Sequence, residues 1–190
     1  GGARLLPAAS GCLEEAGLTW ENLTAVAVAL GPGSFTGIRV GLATALGLVE
    51  SIGLKLVGVG SLDCIARGSA ICRGHSSLRS VSGVETVCAT LPAGVGLYYA
   101  QLFQDGKPLG ACGLVPAGEL GARYPAAKYI GANLEAAGIH PDRTMPEPDW
   151  VSPVHLGALA WERLERGEAD DPARIRPLYV KRPAARPTPR

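Results

Sequence analysis

The chain has 190 residues, of which 47% are hydrophobic and 18% charged, and a net charge of +1. That composition excludes a disordered chain, and a domain of this length buries about two thirds of its unfolded surface without metal or disulfide staples. A balance so close to neutral excludes a molecule-wide field that would gather nucleic acid, so any RNA contact is local or made through a partner.

In chain order, Arg4–Ala16 reads as a helix. Leu5, Ala8, Ala9, Cys12, Leu13 and Ala16 recur at helical spacing, and Gly17 is a plausible stop. After a short connector, Leu23–Leu30 is an uninterrupted apolar run that ends at Gly31-Pro32-Gly33. Strands buried on both faces of a parallel sheet read this way. Phe35–Ile52 reads as a second helix capped by Ser34 or Thr36, Leu54–Val59 as a strand, and Leu62–Arg73 as a third helix. Strand, helix and strand in that order make a parallel βαβ unit.

The period then changes. Gly74–Gly83 is polar and loop-like, and the boundary between two lobes is placed there. Glu85–Leu91 and Gly96–Gln104 read as strands, and Asp105-Gly106 is a hairpin turn leading into Pro108–Val115. Pro116–Arg123 reads as a short helix and Lys128–Ile130 as a short strand. Ile139–Asp149 reads as a Pro-rich linker, Pro153–Arg166 as an amphipathic helix starting at Ser152 and stopped by Gly167, and Leu178–Val180 as a last extended piece. The organisation expected is an N-terminal lobe over 1–78 and a smaller second lobe over 79–190 that includes the C-terminal helix and tail.

The tail carries the one basic cluster, Arg174, Arg176, Lys181, Arg182, Arg186 and Arg190, which reads first as a solvated Pro-rich end, with a tail that touches RNA or a partner as the alternative. Cys12, Cys64, Cys72, Cys88 and Cys112 show no Cys-x-x-Cys spacing and read as small buried hydrophobes of a reducing compartment. Phe35–Gly53 is interrupted by Arg39, Glu50 and several glycines, so no membrane span is expected. The expected location is the cytoplasm. The chain opens at Gly1 and runs straight into a helix, as a processed, trimmed or partial chain would.

The most informative segment runs from Gly31 to Ala43. A glycine loop between a strand and a helix presents unpaired N–H groups and the positive end of the helix dipole. Gly31, Gly33, Ser34, Thr36 and Gly37 are therefore candidates for an anion or nucleotide loop. Known phosphate motifs do not fit. A P-loop lysine is absent, and the spacing before Gly37 is one residue too long for a dinucleotide fingerprint. Val57 and Gly58 stand where its acidic residue belongs, and Asp63 comes too late. A purely structural turn and a bound phosphate both stay open.

The helix after the loop holds Gly37, Gly41 and Gly47. Each costs about 1 kcal/mol against alanine, a sum of about 3 kcal/mol that some close packing must offset. Gly37, Gly41 and Ala45 form one small-residue stripe, and Ala43, Gly47 and Ser51 form another. Ile38, Leu42, Leu46 and Val49 make a ridge alongside. Two small stripes imply two close neighbours, one within the chain and one open to another molecule.

The run Gly31 to Leu48, Gly-Pro-Gly-Ser-Phe-Thr-Gly-Ile-Arg-Val-Gly-Leu-Ala-Thr-Ala-Leu-Gly-Leu, closely resembles the signature of the TsaB (YeaZ-like) family. Leu5-Leu6-Pro7, Ala16-Gly17-Leu18, Gly58-Val59-Gly60-Ser61-Leu62 and Pro177-Leu178-Tyr179-Val180 match further landmarks in order. The resemblance implies an α/β, two-lobed fold of the actin/ribonuclease-H-like type, related to sugar kinases and Hsp70. The family's opening strands, with an Ile-Asp-Thr-like motif, are missing from the first lobe here. Their loss would leave the Leu23–Leu30 strand with an unpaired edge.

The resemblance implies a non-catalytic scaffold subunit of the complex that installs threonylcarbamoyladenosine on tRNA. Its partners would be a TsaD-like catalytic paralogue and a TsaE-like ATPase, with tRNA reached through the complex and a homodimer open to the chain alone. No cofactor is expected on the isolated chain; ATP or ADP belongs to the assembled complex. The family's pairing of first and second helices carries over to Leu5, Leu6, Ala9, Ile38, Gly41, Leu42, Ala45, Leu46 and Val49 as the partner-binding set. The family's Asp-Ala-Arg and Glu ahead of the strand with Tyr99 are replaced by Pro92, Ala93, Gly94 and Leu97, so their chemistry is lost.

No catalytic or metal residue is expected. His75, His140 and His155 are scattered without ligand spacing. Ser34 is outside any Gly-x-Ser-x-Gly motif, and Asp63 and Glu85 are single carboxylates without a mate. The alternative is a nucleotide-binding or transferase domain that uses the Gly31–Gly37 loop.

Overall fold

The computed structural model describes residues 4–71, 86–145 and 150–180. The expected lobe boundary at Gly74–Gly83, with Cys72, His75 and Glu85, lies outside the described residues, as do Lys181, Arg182, Arg186 and Arg190 of the tail.

Helix α1 (Leu5–Glu15) ends where Leu18 N–H reaches back to Leu13 O at 2.8 Å, a glycine-assisted stop at Gly17. Thr19 and Asn22 cap one another across a single 3-10 turn, which leads into β1 (Ala25–Gly31). Helix α2 (Phe35–Ile52) crosses over to β2 (Lys55–Gly60), which lies parallel to β1 with Val26 opposite Leu56 and Val28 opposite Gly58. Helix α3 (Ser61–Ile71) follows directly. These bounds agree with the hydrophobic periods to within about two residues.

The second sheet has the order β5-β4-β3-β6. Strands β3 (Thr86–Pro92), β4 (Leu97–Gln104) and β5 (Lys107–Pro116) form an antiparallel meander. Helix α4 (Ala117–Arg123) carries the chain to β6 (Lys128–Gly131), which pairs parallel with β3. Asp105 (φ 51) and Gly106 (φ 74) supply the two left-handed positions of the tight hairpin. The segment expected to be a linker is ordered where described. Pro141–Arg143 forms a 3-10 turn, and Thr144 bridges to Tyr129.

Helix α3 is the wall shared by the two sheets. Leu62, Ile65 and Ala66 pack on Val87, Ala89, Tyr99, Phe103 and Ile130 of the larger sheet. Cys64, on another side of α3, meets Val57, Val59 and Ala160. Ala160 belongs to α5 (Pro153–Glu165), and here the expected organisation is corrected: the C-terminal helix packs on β2 and α3 rather than with the second sheet. A polar clasp fixes it there. Arg163 grips Asp170 with two bonds of 3.0 Å and donates to Gly58 O at 2.8 Å, while Gly58 N–H donates to Asp170 Oδ2 at 2.7 Å. Asp170 N–H also reaches Leu56 O at 2.8 Å, covering the outer edge of β2. Burial alone would raise the Asp170 carboxyl; Arg163 and the Gly58 N–H outweigh it and hold the group below its ordinary value.

Beyond Asp170 the chain returns to the first sheet, where Ile175 enters the core formed by Val28, Leu42, Ala45 and Leu56. Cys64 and Cys88 are buried, and burial pushes each thiol up to about 12. Cys12 is exposed on α1, against the expectation of burial.

Candidate partner-docking site

The glycine loop is built by two constraints. Gly31 closes β1 at φ +106, and a Cβ there would sit 2.9 Å from both Ile38 Cδ1 and Leu178 O, so only glycine fits. Ser34 is the cap of α2: its hydroxyl accepts from Gly37 N–H at 3.2 Å, and its carbonyl accepts from Ile38 N–H at 2.9 Å. The Ser34 hydroxyl and the Gly37 N–H, both candidate anion ligands, are therefore bonded to each other. Thr36 is exposed and Gly33 half-buried.

The mouth of this loop is crossed by residues 175–180. Leu178 N–H donates to Leu30 O at 2.7 Å, the one bond recorded on the β1 edge opposite β2 among the described residues. The expected open edge of this strand is thus found, save for that bond. Tyr179 accepts from Arg39 Nε at 2.7 Å and lies with its ring centroid 5.2 Å from that of Phe35. The Arg39 guanidinium stacks 4.0 Å from the Phe35 centroid. Val180 packs against the buried cluster formed by α3 and the larger sheet.

Helix α2 has two unlike faces. Ile38, Leu42 and Ala45 are buried against the first sheet, with Leu46 and Val49 packed alongside. Gly41 also points inward, its Cβ position 3.8 Å from Val28 Cγ2. This corrects the α2 part of the expected partner-binding set. Ile38, Gly41, Leu42 and Ala45 form the inner face, because the wider apolar ridge covers more of β1 than a stripe of small residues would. The outward face carries Thr36, Arg39, Ala43, Gly47 and Glu50, and a Cβ at Gly47 would meet nothing within 4 Å. By length and composition α2 passes as a membrane crossing, contrary to the expectation from its interruptions. Its inner face is nevertheless part of the protein core. Helix α1 buries no residue: Leu5 and Leu6 are exposed, and Ala9 is half-buried.

Elsewhere the ionisable groups are dispersed. Among the described residues no three His, Cys, Asp or Glu side chains gather as metal ligands. Burial raises the Asp63 carboxyl above its ordinary value. His140 pairs with Asp142 at the surface, and His155 is buried in α5. The trio of Phe35, Arg39 and Tyr179 escaped sequence reasoning. Phe35 and Arg39 stand four apart on one helix, but only the fold brings Tyr179 to them.

A family model described as TsaD, tRNA N6-adenosine threonylcarbamoyltransferase, matches residues 2–91. An uncharacterized protein of Mycobacterium tuberculosis (strain H37Rv) is 33% identical over 190 residues, covering 97% of this chain and 76% of the relative. The Escherichia coli tRNA threonylcarbamoyladenosine biosynthesis protein TsaB is 32% identical over 103 residues, 54% of this chain and 41% of the relative. Among solved structures, YeaZ from Pseudomonas aeruginosa superposes with a TM-score of 0.73 at 25% identity, covering 93% of this chain and 84% of that one.

The chain belongs to the TsaB family.

Its fold is accordingly the actin-like fold of the YeaZ neighbours. Besides Val154 and Trp161 of α5, α1 and the outward stripe of α2 are exposed among the described residues. Both lie within the segment that matches the TsaD model, so these helices are also the part most akin to TsaD proteins.

Proposed function

We propose that this TsaB-family chain acts in the biosynthesis of threonylcarbamoyladenosine in tRNA as a non-catalytic scaffold subunit that binds and supports a TsaD-like catalytic paralogue. The relatives that carry the TsaB name support the pathway. One observation carries the docking mode: a whole helix, α1, buries none of its residues while the next α-helix, α2, turns small residues outward. Small outward residues let a second backbone approach closely, which restores packing that Gly47 forgoes in the helix. The contacts are α1, with Leu5, Leu6 and Ala9, and the α2 stripe of Ala43, Gly47 and Ser51. The paralogue offers related helices, a TsaE-like ATPase joins the assembly, and tRNA and nucleotide are handled by the complex in the cytoplasm. Without its partner the chain would use the same face to pair with itself.

The test is gel filtration of the chain mixed with the TsaD-family protein of the same organism. Gly47→Leu adds a large side chain to open space and leaves the fold untouched; Gly41→Leu is unsuitable because it would push into Val28. A complex that forms with the wild type and is lost with Gly47→Leu is expected. An intact complex with Gly47→Leu would contradict this docking face.

A further inference from the structure

Arg39 is exposed at the start of the outward α2 face, yet it is held from two sides. Its guanidinium lies 4.0 Å from the Phe35 ring centroid and 5.7 Å from that of Tyr179, and its Nε donates to the Tyr179 hydroxyl at 2.7 Å. Among the described residues no carboxylate pairs with it. With Nε engaged, the two terminal nitrogens keep their donors turned to solvent as a fork suited to a carboxylate. Phe35 and Tyr179, which flank the guanidinium, are each more than a third exposed. Tyr179 is itself anchored, because Leu178 bonds to β1 and Ile175 is built into the core. An arginine stacked on aromatics and fixed before binding has the make-up of an interface hot spot.

We propose that Arg39, aimed by Phe35 and Tyr179, is the charged anchor of the docking face and takes a carboxylate from a side chain of the partner protein. This rests on the reading of α1 and α2 as the docking face. The occupant is a protein acid rather than a nucleic-acid phosphate, because a phosphate backbone is gathered by several cations together. Of the tail cations among the described residues, Arg174 pairs with Asp171 and Arg176 donates to the carbonyls of Ala173 and Ile175, while the acidic Glu50 stands three turns along α2 from Arg39, so these arginines are engaged within the strap rather than gathered as free cations. The C-terminal strap is thereby part of the docking site, and Tyr179 is a positioning residue.

Calorimetry with the purified TsaD-family partner tests the assignment on four chains. Arg39→Ala is expected to raise Kd about 30-fold, the loss of a hot-spot residue. Arg39→Lys keeps the charge, loses the planar stack and the fork, and should fall nearly as far. Tyr179→Phe removes only the acceptor for Nε and should raise Kd about threefold, within the range of one neutral hydrogen bond. Raising salt should weaken wild-type binding more than Arg39→Ala binding. Wild-type binding with Arg39→Ala within twofold of it overturns the anchor and leaves the docking face standing. Equal binding by Arg39→Lys and the wild type overturns the fork. Self-association that weakens with Arg39→Ala, beside unchanged binding to the partner, assigns the carboxylate to a second copy and overturns the proposal. No binding by the wild type overturns the docking reading and the anchor together.

Discussion

The two flanks of the first sheet are finished in opposite ways. On the β2 flank, α5 lies over Val57 and Val59, and the Arg163–Asp170–Gly58 clasp ties helix, loop and strand with bonds of 2.7 to 3.0 Å. On the other flank, β1 has a single bond at its edge among the described residues and α2 shows small residues to solvent; α1 likewise buries none of its own residues. The β2 flank is closed by contacts within the chain, whereas the β1 edge and the outward stripe of α2 make few among the described residues.

That contrast predicts unequal tolerance to substitution in the isolated chain. The largest loss is expected at the closed flank with Gly58→Val. A Cβ there falls 2.5 Å from Leu30 Cδ1 and 2.8 Å from Ile175 Cδ1, and overpacking of this kind costs about 1–3 kcal/mol. A fall in the urea midpoint measures it. Asp170→Asn comes next. It leaves Arg163 without its charged partner, and because the pair is partly solvated the cost is about 1–2 kcal/mol on the same assay.

Acid adds a third effect of known sign. The Asp170 carboxyl is held low in the folded state, so its stabilisation is fully present above the unfolded value of about pH 4. It is lost as pH falls from there through the folded value. Asp170→Asn should flatten that part of the wild-type profile of stability against pH. Asp63 titrates the opposite way, since burial raises it, and its loss of stability appears as pH rises from its unfolded value through its folded one.

At the open flank the effects on folding shrink. Ser34→Ala removes the α2 cap and should cost about 1 kcal/mol. Gly47→Leu should cost nothing, and it gains up to about 1 kcal/mol from helix propensity while destroying the partner complex. A large destabilisation by Gly47→Leu would erase the contrast between the flanks.

Much of this was legible in the sequence, for local reasons. The bounds of α2, the parallel β1–α2–β2 unit and the Asp105-Gly106 hairpin follow from period, cap and turn chemistry, all of which act over a few residues. What failed was long-range. The amphipathic pattern of Pro153–Arg166 shows that the helix has a buried face, yet nothing local reveals that Arg163 will meet Asp170 and Gly58 on the first sheet. Likewise the pattern of α2 reveals two small stripes and a ridge without saying which faces in. The ridge of Ile38, Leu42 and Val49 settles on β1 because it fills more of the surface there, which sends Ala43 and Gly47 outward. Tyr179 could be noted only as part of a motif, since its partners lie 140 residues earlier in the chain.

The central claim concerns that outward face, and hydrogen exchange of the chain with and without the TsaD-family partner tests it most directly. The account predicts added protection over α1 and over residues 35–52, with the β4–β5 hairpin and α5 unchanged. Protection confined to α5 or the larger sheet, with α1 and α2 exchanging as before, would contradict it.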